Sequence, residues 1–176
     1  MLKRRNDVLL VDGYNMIGDW PELIKLKDIG LEEARNMLLN MLADYQGFTG
    51  IHLYVVFDAY QTTGQGATYK QHGITVVYTK EKETADECIE RLSNEWINKR
   101  RNVYVATSDM AEQHVIFGHG ALRISARELL QELKQNAKNI DHALKERDFD
   151  IQKRSVVEQR LSDDVRAKLE QMRRGK

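Results

Sequence analysis

The stretch from Asp7 to Asn15, DVLLVDGYN, decides the fold. It begins with a continuous apolar run, which is typical of a strand covered on both faces of a parallel sheet. The run ends at Asp12, and Gly13 then allows the backbone to turn tightly. In an open α/β sheet, ligand sites form outside the carboxyl ends of the strands. The stretch therefore predicts a buried strand over residues 7–11 that delivers a carboxylate to that edge.

Three further apolar runs lead to an aspartate. They are IHLYVVF before Asp58, NVYVATS before Asp109, and ITVVYT, which KEKETAD connects to Asp86. Strand patterns alternate with helical patterns, which favours an α/β fold with a mainly parallel sheet. The four aspartates are then expected to meet at one edge. Two carboxylates about 4 Å apart repel by about 1 kcal/mol in water and about 4 kcal/mol at an effective dielectric of about 20, so protons or a cation must neutralise the cluster.

These residue types indicate a divalent metal centre. Oxygen donors suit Mg²⁺ or Mn²⁺, and the chain offers one cysteine and no histidine spacing that suits zinc. Such ions support phosphodiester hydrolysis, because they neutralise the phosphate, activate water and stabilise the leaving oxygen. The predicted metal ligands are Asp12, Asp58, Asp86 and Asp109. Asn15 joins them as a predicted catalytic residue, because its amide can orient a water, a carboxylate or a phosphate oxygen.

Each of these residues also has a purely structural interpretation. Asp12 and Gly13 form turns readily, with Asn15 as a cap, and Asp58 or Asp109 could simply cap the end of a strand or the start of a helix. Asp86 falls in the first turn of a helix, where the helix dipole favours any carboxylate by about 0.3–1 kcal/mol. It is the convergence of four acids that favours the metal site.

The remaining elements follow from periodicity and capping. Thr84 with Glu87 and Ser125 with Glu128 match capping boxes, each of which predicts the start of a helix. Gly13, Gly18 and Pro21 predict a loop after the first strand. The other predicted elements are a helix over 31–45, strands at 51–57, 74–79, 103–106 and 121–124, and helices from 84, near 110–117 and over 125–135.

Residues 60–73, YQTTGQGATYKQHG, predict a polar loop beside the metal site. Long loops within a domain are often functional. Tyr69 and Lys70 could stack on or steer an RNA base, although solvated loop residues explain them equally well. Ser108 offers a hydroxyl to a phosphate. Gly64 and Gly66 are not followed by a third glycine or a helix start, so no dinucleotide cofactor is expected.

The formal net charge is zero, but it is unevenly distributed. Residues 136–176 carry eleven Lys and Arg against eight Asp and Glu, which gives +3 and leaves −3 for residues 1–135. Arg173, Arg174 and Lys176 at the basic end could contact nucleic acid or form a solvated helix end. The sequence has no apolar stretch of membrane-spanning length and no signal peptide, so we expect a cytoplasmic protein without a membrane partner.

Several stretches together resemble the YacP-like NYN-domain proteins, which belong to the PIN-like nuclease superfamily. They are VDGYNMIGDWPEL, VVFDAY, TKEKETADECIERL, VATSDMAEQ and GALRISARELL, and the resemblance covers roughly residues 7–135. It implies a three-layer α/β/α PIN-like fold and a Mg²⁺- or Mn²⁺-dependent endoribonuclease. It places the family's acids at Asp12, Asp58, Asp86 and Asp109 and its asparagine at Asn15. It also implies action on mRNA at the ribosome during translation.

We therefore expect a nuclease domain over 1–135 and a basic, largely helical extension over 136–176 that packs on it. Two other functions remain open. The chain could be a catalytically inert RNA- or ribosome-binding adaptor, although intact acids at every motif position argue against this. It could also be a small phosphatase, although the second acid usual two residues after an aspartyl nucleophile is replaced by Tyr14.

Overall fold

Strand β1, Val8–Asp12, lies near the middle of a six-stranded sheet. The computed structural model describes residues 6–59, 66–99, 101–108, 120–160 and 163–175. Within them the strand order is β3-β4-β2-β1-β5-β6. The further strands are β2 His52–Phe57, β3 Thr68–Gln71, β4 Ile74–Tyr78, β5 Val103–Ala106 and β6 Leu122–Ile124. Every pairing is parallel except the antiparallel β3–β4 pair.

Helices cover both faces of this sheet. In chain order, the described residues form the helices α1 Gly13–Asp19, α2 Pro21–Lys27, α3 Leu31–Thr49, α4 Ala85–Asn98, α5 Ala126–Arg160 and α6 Asp163–Arg173, of which α1 to α4 and the start of α5 pack on the sheet. One core lies between the sheet and α1–α3 together with the start of α5. The other lies between the sheet and α4. The predicted three-layer α/β/α fold with a mainly parallel sheet is confirmed.

The predicted loop after β1 is wrong, because two short helices follow β1 directly. Asp12 caps α1 by accepting a hydrogen bond from the Asn15 backbone N–H, and Pro21 stands at the start of α2, where its fixed φ suits a helix. Gly18 is tolerated on the exposed side of α1. The buried Trp20 lies between the two helices, and its indole N–H donates to the Ala126 carbonyl at 2.9 Å.

Helix α3 is longer than predicted. It passes through Gly47 and ends at Thr49, with Gly50 as a left-handed cap at φ 73°. A left-handed residue after the last turn is the usual helix stop, and glycine adopts it without a Cβ clash. The stop signal is therefore Gly50 and not Gly47.

Strand β3 replaces part of the predicted 60–73 loop. Thr68–Gln71 pairs with β4 across a tight turn in which His72 and Gly73 both have positive φ. Such turns match the twist of a hairpin. The strand was missed because it is polar and lies at the edge of the sheet. Residues 60–65 lie outside the described residues, as do Asp109 and the helix predicted near 110–117.

Helix α5 extends far beyond the predicted 125–135 segment. Its first part belongs to a unit that ends at Asn136, and its later part belongs, with α6, to a second unit that begins at Ala137. Residues 141–148 of α5 are exposed, so they carry no apolar stripe from which a helix could be predicted. In the described ranges no helix has the length and apolar character needed to cross a membrane.

The capping boxes are confirmed at the starts of two helices. Thr84 and Glu87 bond each other's backbone N–H groups before α4. Ser125 and Glu128 do the same before α5, at 3.2 and 2.8 Å. These local signals depend on only four consecutive residues, which is why the sequence alone reveals them.

Gly13 is expected to be intolerant of any side chain. A Cβ at this position would overlap the ring of Phe57, which is fully buried in β2. We predict that Gly13→Ala lowers the free energy of unfolding by about 1–3 kcal/mol, as overpacked cores do. Urea unfolding monitored by circular dichroism measures this.

Gly18→Ala is the matched control, because it lies in the same helix, is exposed and has no atom within 4 Å of the added Cβ. It should leave stability unchanged or raise it by roughly 0.5–1 kcal/mol. Equal stability losses in the two variants would contradict the role of the Phe57 contact.

Candidate active site

A cavity of about 590 Å³ opens at the carboxyl edge of the sheet. Parallel strands explain its position, because β1 ends at Asp12, Asp58 follows β2, and Ser108 follows β5. Asp86 joins them from the first turn of α4. Its lining consists of Asp12, Tyr14, Asn15, Gly18, Asp19, Asp58, Thr84, Ala85, Asp86 and Ser108.

Asp12 is the most buried of these carboxylates, with 5% of its surface exposed. Asn15 donates to both carboxylate oxygens, from its backbone N–H to Oδ1 at 3.0 Å and from Nδ2 to Oδ2 at 3.1 Å. Burial raises the pKa of the Asp12 carboxyl, the bonds from Asn15 lower it, and the nearby Asp86 raises it further. The net shift is upward, so the site disfavours the charge of Asp12 even with Asn15 in place.

Ser108 fixes the orientation of the Asn15 side chain. Its hydroxyl donates a hydrogen bond to Asn15 Oδ1. Because the amide oxygen is occupied in this way, Nδ2 must face Asp12. The three side chains therefore form a chain of hydrogen bonds that holds the Asp12 carboxylate in place.

Asp86 is left free for the cavity by the neighbouring cap. Glu87 accepts the Thr84 backbone N–H at 3.0 Å, and Thr84 Oγ1 accepts the Glu87 N–H at 3.2 Å. Asp86 is exposed and lines the cavity. Glu83, which immediately precedes the cap, instead accepts a 2.8 Å hydrogen bond from Arg91.

Asp58 is half-buried and follows β2, which pairs with β1 on the side away from β5. The next residue, Ala59, donates its backbone N–H to Oγ1 of the buried Thr79 at 2.9 Å. This bond ties the chain after β2 to the chain after β4, and it fixes the backbone from which Asp58 extends.

The donor set fits Mg²⁺ or Mn²⁺ by its chemistry. All candidate donors are oxygens, from carboxylates, an amide and a hydroxyl. In the described ranges no three acidic, His or Cys side chains lie close enough to make a complete metal site. Mg²⁺ commonly binds through one or two carboxylates, retained waters and substrate phosphates, and Asp12 and Asp86 would supply two carboxylates of this kind.

Other predicted residues lie elsewhere. Tyr69 and Lys70 are on β3 and do not line the cavity, and strand alternation places them on opposite faces of the sheet. Arg173 and Arg174 belong to the second unit, where both contact Glu170 Oε1, at 3.3 and 3.4 Å. Asp109 and Lys176 lie outside the described residues.

Tyr14 and Asp19 line the cavity, although the sequence did not predict a site role for either. Both lie on α1, where Asn15 and Asp19 are one helical turn apart and so share a face. If a helix had been predicted from Gly13, Asp19 would have been expected on the same face as Asn15. The signal was an aspartate followed three residues later by an asparagine, which suits a helix N-cap as well as a turn.

The fold is PIN-like α/β/α with an acidic edge, and similarity to known proteins supports a nuclease-type function. The family described as YacP-like NYN domain matches residues 9–174. The chain belongs to this family, and NYN domains belong to a nuclease superfamily.

Similar proteins come from Bacillus subtilis. A protein of strain 168 described as the uncharacterized protein YacP is 44% identical over 169 residues, which cover 96% of this chain and 98% of that protein. The crystal structure of Rae1 (YacP) aligns with a TM-score of 0.72 and 44% identity, over 96% of this chain and 95% of that one. A tryptophan-to-leucine mutant of Rae1 aligns with a TM-score of 0.69 and 47% identity, over 80% and 82% of the two chains.

Two substitutions separate the capping role of Asp12 from its charge. Asp12→Asn keeps an oxygen for the Asn15 N–H and removes a disfavoured charge, but its amide nitrogen then faces the Asn15 Nδ2 donor, so the two effects oppose each other and stability should change little. Asp12→Ala also removes the cap and should cost about 1 kcal/mol. Both variants should lose nuclease activity. Urea unfolding and a nuclease assay measure the two effects, and an Asp12→Asn protein that is inactive only because it unfolds would contradict the assignment.

Proposed function

We propose that this chain is a metal-dependent endoribonuclease that hydrolyses phosphodiester bonds of mRNA in the context of the translating ribosome. The observation that supports it best is the cavity lined by Asp12, Asp58 and Asp86 at the carboxyl edge of the sheet. Membership of the NYN family supports the nuclease class. The proposal also places the enzyme in the cytoplasm, where mRNA is translated.

Mg²⁺ or Mn²⁺, when bound by Asp12 and Asp86 with Asp58 and Asp109 as further candidate ligands, supplies charge neutralisation at the phosphate and an activated water. The protein's own contribution is orientation. Asn15 holds both Asp12 oxygens, and Ser108 holds Asn15. A fixed carboxylate does not have to reorganise during the reaction, which favours electrostatic catalysis.

RNA binding is proposed for residues beside and beyond this cavity. Ser108 is exposed at the rim of the cavity, and its hydroxyl would donate to a phosphate only by turning away from Asn15 Oδ1, whereas Tyr69 exposes 42% of its surface for stacking on a base. Lys70 is exposed on the same strand as Tyr69. Arg173, Arg174 and Lys176 are proposed to meet ribosomal RNA.

Delivery by the ribosome would compensate for the weak electrostatic attraction of the chain to RNA. Phosphate-driven affinity depends on how many cations meet the backbone, and residues 1–135 carry a net charge of −3. We predict that a translated mRNA is cut efficiently and that the same naked RNA at physiological salt is cut poorly. Mapping of 5′ ends by primer extension, with and without ribosomes, measures this difference.

The controls for that assay separate the alternatives. Asp86→Asn should be inactive, whereas Asp44→Asn, an exposed aspartate of α3 that does not line the cavity, should be fully active. Efficient cleavage of naked RNA would contradict ribosome delivery but not the nuclease. Wild-type protein that binds ribosomes without cutting would favour the adaptor, and turnover of a phosphomonoester with no effect on RNA would favour the phosphatase.

Metal binding should appear as stabilisation of the folded protein. A ligand that binds only the native state at 100 times its Kd adds about 2.7 kcal/mol to the free energy of unfolding. We predict that Mg²⁺ or Mn²⁺ raises the Tm of the wild type and raises it much less in a protein carrying both Asp12→Asn and Asp86→Asn. Calorimetry with and without metal tests this, and equal shifts in the two proteins would place the metal elsewhere.

A further inference from the structure

A row of aromatic rings leads from the acidic cavity to the outer strand β3. Tyr14, which lines the cavity, meets Phe57 edge-on with ring centroids 5.2 Å apart. Phe57 stacks on Tyr78 at 5.5 Å, and Tyr78 stacks on Tyr69 at 6.2 Å. The row ends at Tyr69, whose surface is 42% exposed. The buried ring of Phe57 thus connects the exposed Tyr69 and the half-buried Tyr78 to Tyr14 at the cavity.

Arg35 of helix α3 lies against this row. Its Nη1 donates to the Tyr14 hydroxyl at 3.3 Å, and its side chain is half-buried. Burial raises the pKa of the Tyr78 hydroxyl, as does Tyr69, whereas the charge and hydrogen bonding of Arg35 lower it. Arg35 therefore lies within reach of two tyrosine hydroxyls, one of which borders the cavity.

No carboxylate pairs with Arg35 in the part of the chain that the structure describes. A half-buried charge without a counterion is costly, and two neutral hydroxyls compensate for only part of that cost. The guanidinium has five N–H donors in a planar fork that matches the oxygens of a phosphate. Its remaining donors are therefore suited to an anion.

We propose that Arg35, together with the hydroxyls of Tyr14 and Tyr78, binds a backbone phosphate of single-stranded RNA next to the phosphate held in the acidic cavity. Tyr69 offers its ring to a base of the same strand. This inference rests on the proposed function, because it identifies how the substrate of that site is held. Stacking of one base on an aromatic side chain is worth about 1–3 kcal/mol, and the bond to phosphate is charge-assisted.

A subsite of this kind would serve the acidic cavity directly. The aspartates repel an approaching phosphate backbone, and a bound metal ion would chiefly neutralise the phosphate that it contacts. A fixed cation beside the cavity attracts the neighbouring phosphate and sets the direction of the strand. The two tyrosines keep the guanidinium fork in place, so that less side-chain entropy is lost when the phosphate binds.

The competing explanation is structural, since the Arg35–Tyr14 bond also joins α3 to α1. Salt dependence distinguishes the two, because each neutralised phosphate of a single strand contributes about 0.7 to the slope of log K against log salt concentration. A merely structural arginine changes the melting temperature and leaves that slope unchanged.

The experiment measures binding of a fluorescent single-stranded oligoribonucleotide to the full chain, in an Asp86→Asn background that prevents cleavage. Anisotropy is recorded over a series of salt concentrations. Arg35→Gln should raise the Kd roughly tenfold, as expected for the loss of a charged hydrogen bond. It should also reduce the magnitude of the slope of log K against log salt concentration by about 0.7. Arg35→Lys should keep the slope but bind more weakly than the parent. Arg127→Gln, an exposed arginine of α5, is the matched control and should change neither.

Tyr69→Ser should weaken binding at all salt concentrations without changing the slope, since it removes a ring and no charge. Equal Kd and slope for Arg35→Gln and its parent would overturn the subsite, as would a parent that does not bind the RNA at all. Binding that follows these predictions, from a wild type that cuts no RNA with or without ribosomes, would refute the nuclease and retain the subsite. Melting curves of each variant exclude unfolding as the cause.

Discussion

The parallel pairing of β1 with β2 on one side and β5 on the other is the constraint on which the rest of the molecule depends. Asp12 stands opposite Val56, and Val11 stands opposite Ala106, so the chains that leave these strands emerge at one edge. A slip of one residue would turn every core side chain of β1 to the wrong face of the sheet. It would also move Asp12 away from the acids that it meets. The buried residues of β1 therefore hold the functional edge together as well as the core.

At that edge, one aspartate serves both folding and chemistry. Asp12 caps α1, and the same hydrogen bonds from Asn15 that close the helix also offset part of the cost of burying its charge. The nearby Asp86 adds to the cost of the Asp12 charge, and a bound cation would reduce that remaining cost. Ser108 then links the end of β5 to the same network. The hydrogen bonds thus join two separate segments of the sequence, and the charge of Asp86 acts on them from a third.

The sequence predicted the elements whose signals are local. Apolar runs indicated β1, β2, β4 and β5, and the capping boxes at Thr84 and Ser125 indicated where helices begin. The other features depend on contacts between residues far apart in the chain. Strand β3 forms because β4 offers it a partner, α1 and α2 are stabilised by the burial of Trp20, and residues 141–148 of α5 are helical without an apolar stripe. The gathering of Asp12, Asp58 and Asp86 was predicted from the shared edge of parallel strands, whereas the contact between Arg35 and Tyr14 spans 21 residues and has no periodic signature.

The two outer strands of the described sheet are both short and both carry an exposed cation. Strand β3 has four residues, including Lys70, and β6 has three, including Arg123. Free strand edges are templates on which another chain can add a strand, and brevity together with charge is a common protection against this. The sheet is thus poorly suited to growing by strand addition at either side. Such edges guard against aggregation. They also favour partners that bind to side chains or helical surfaces of the chain over partners that add a strand to the sheet.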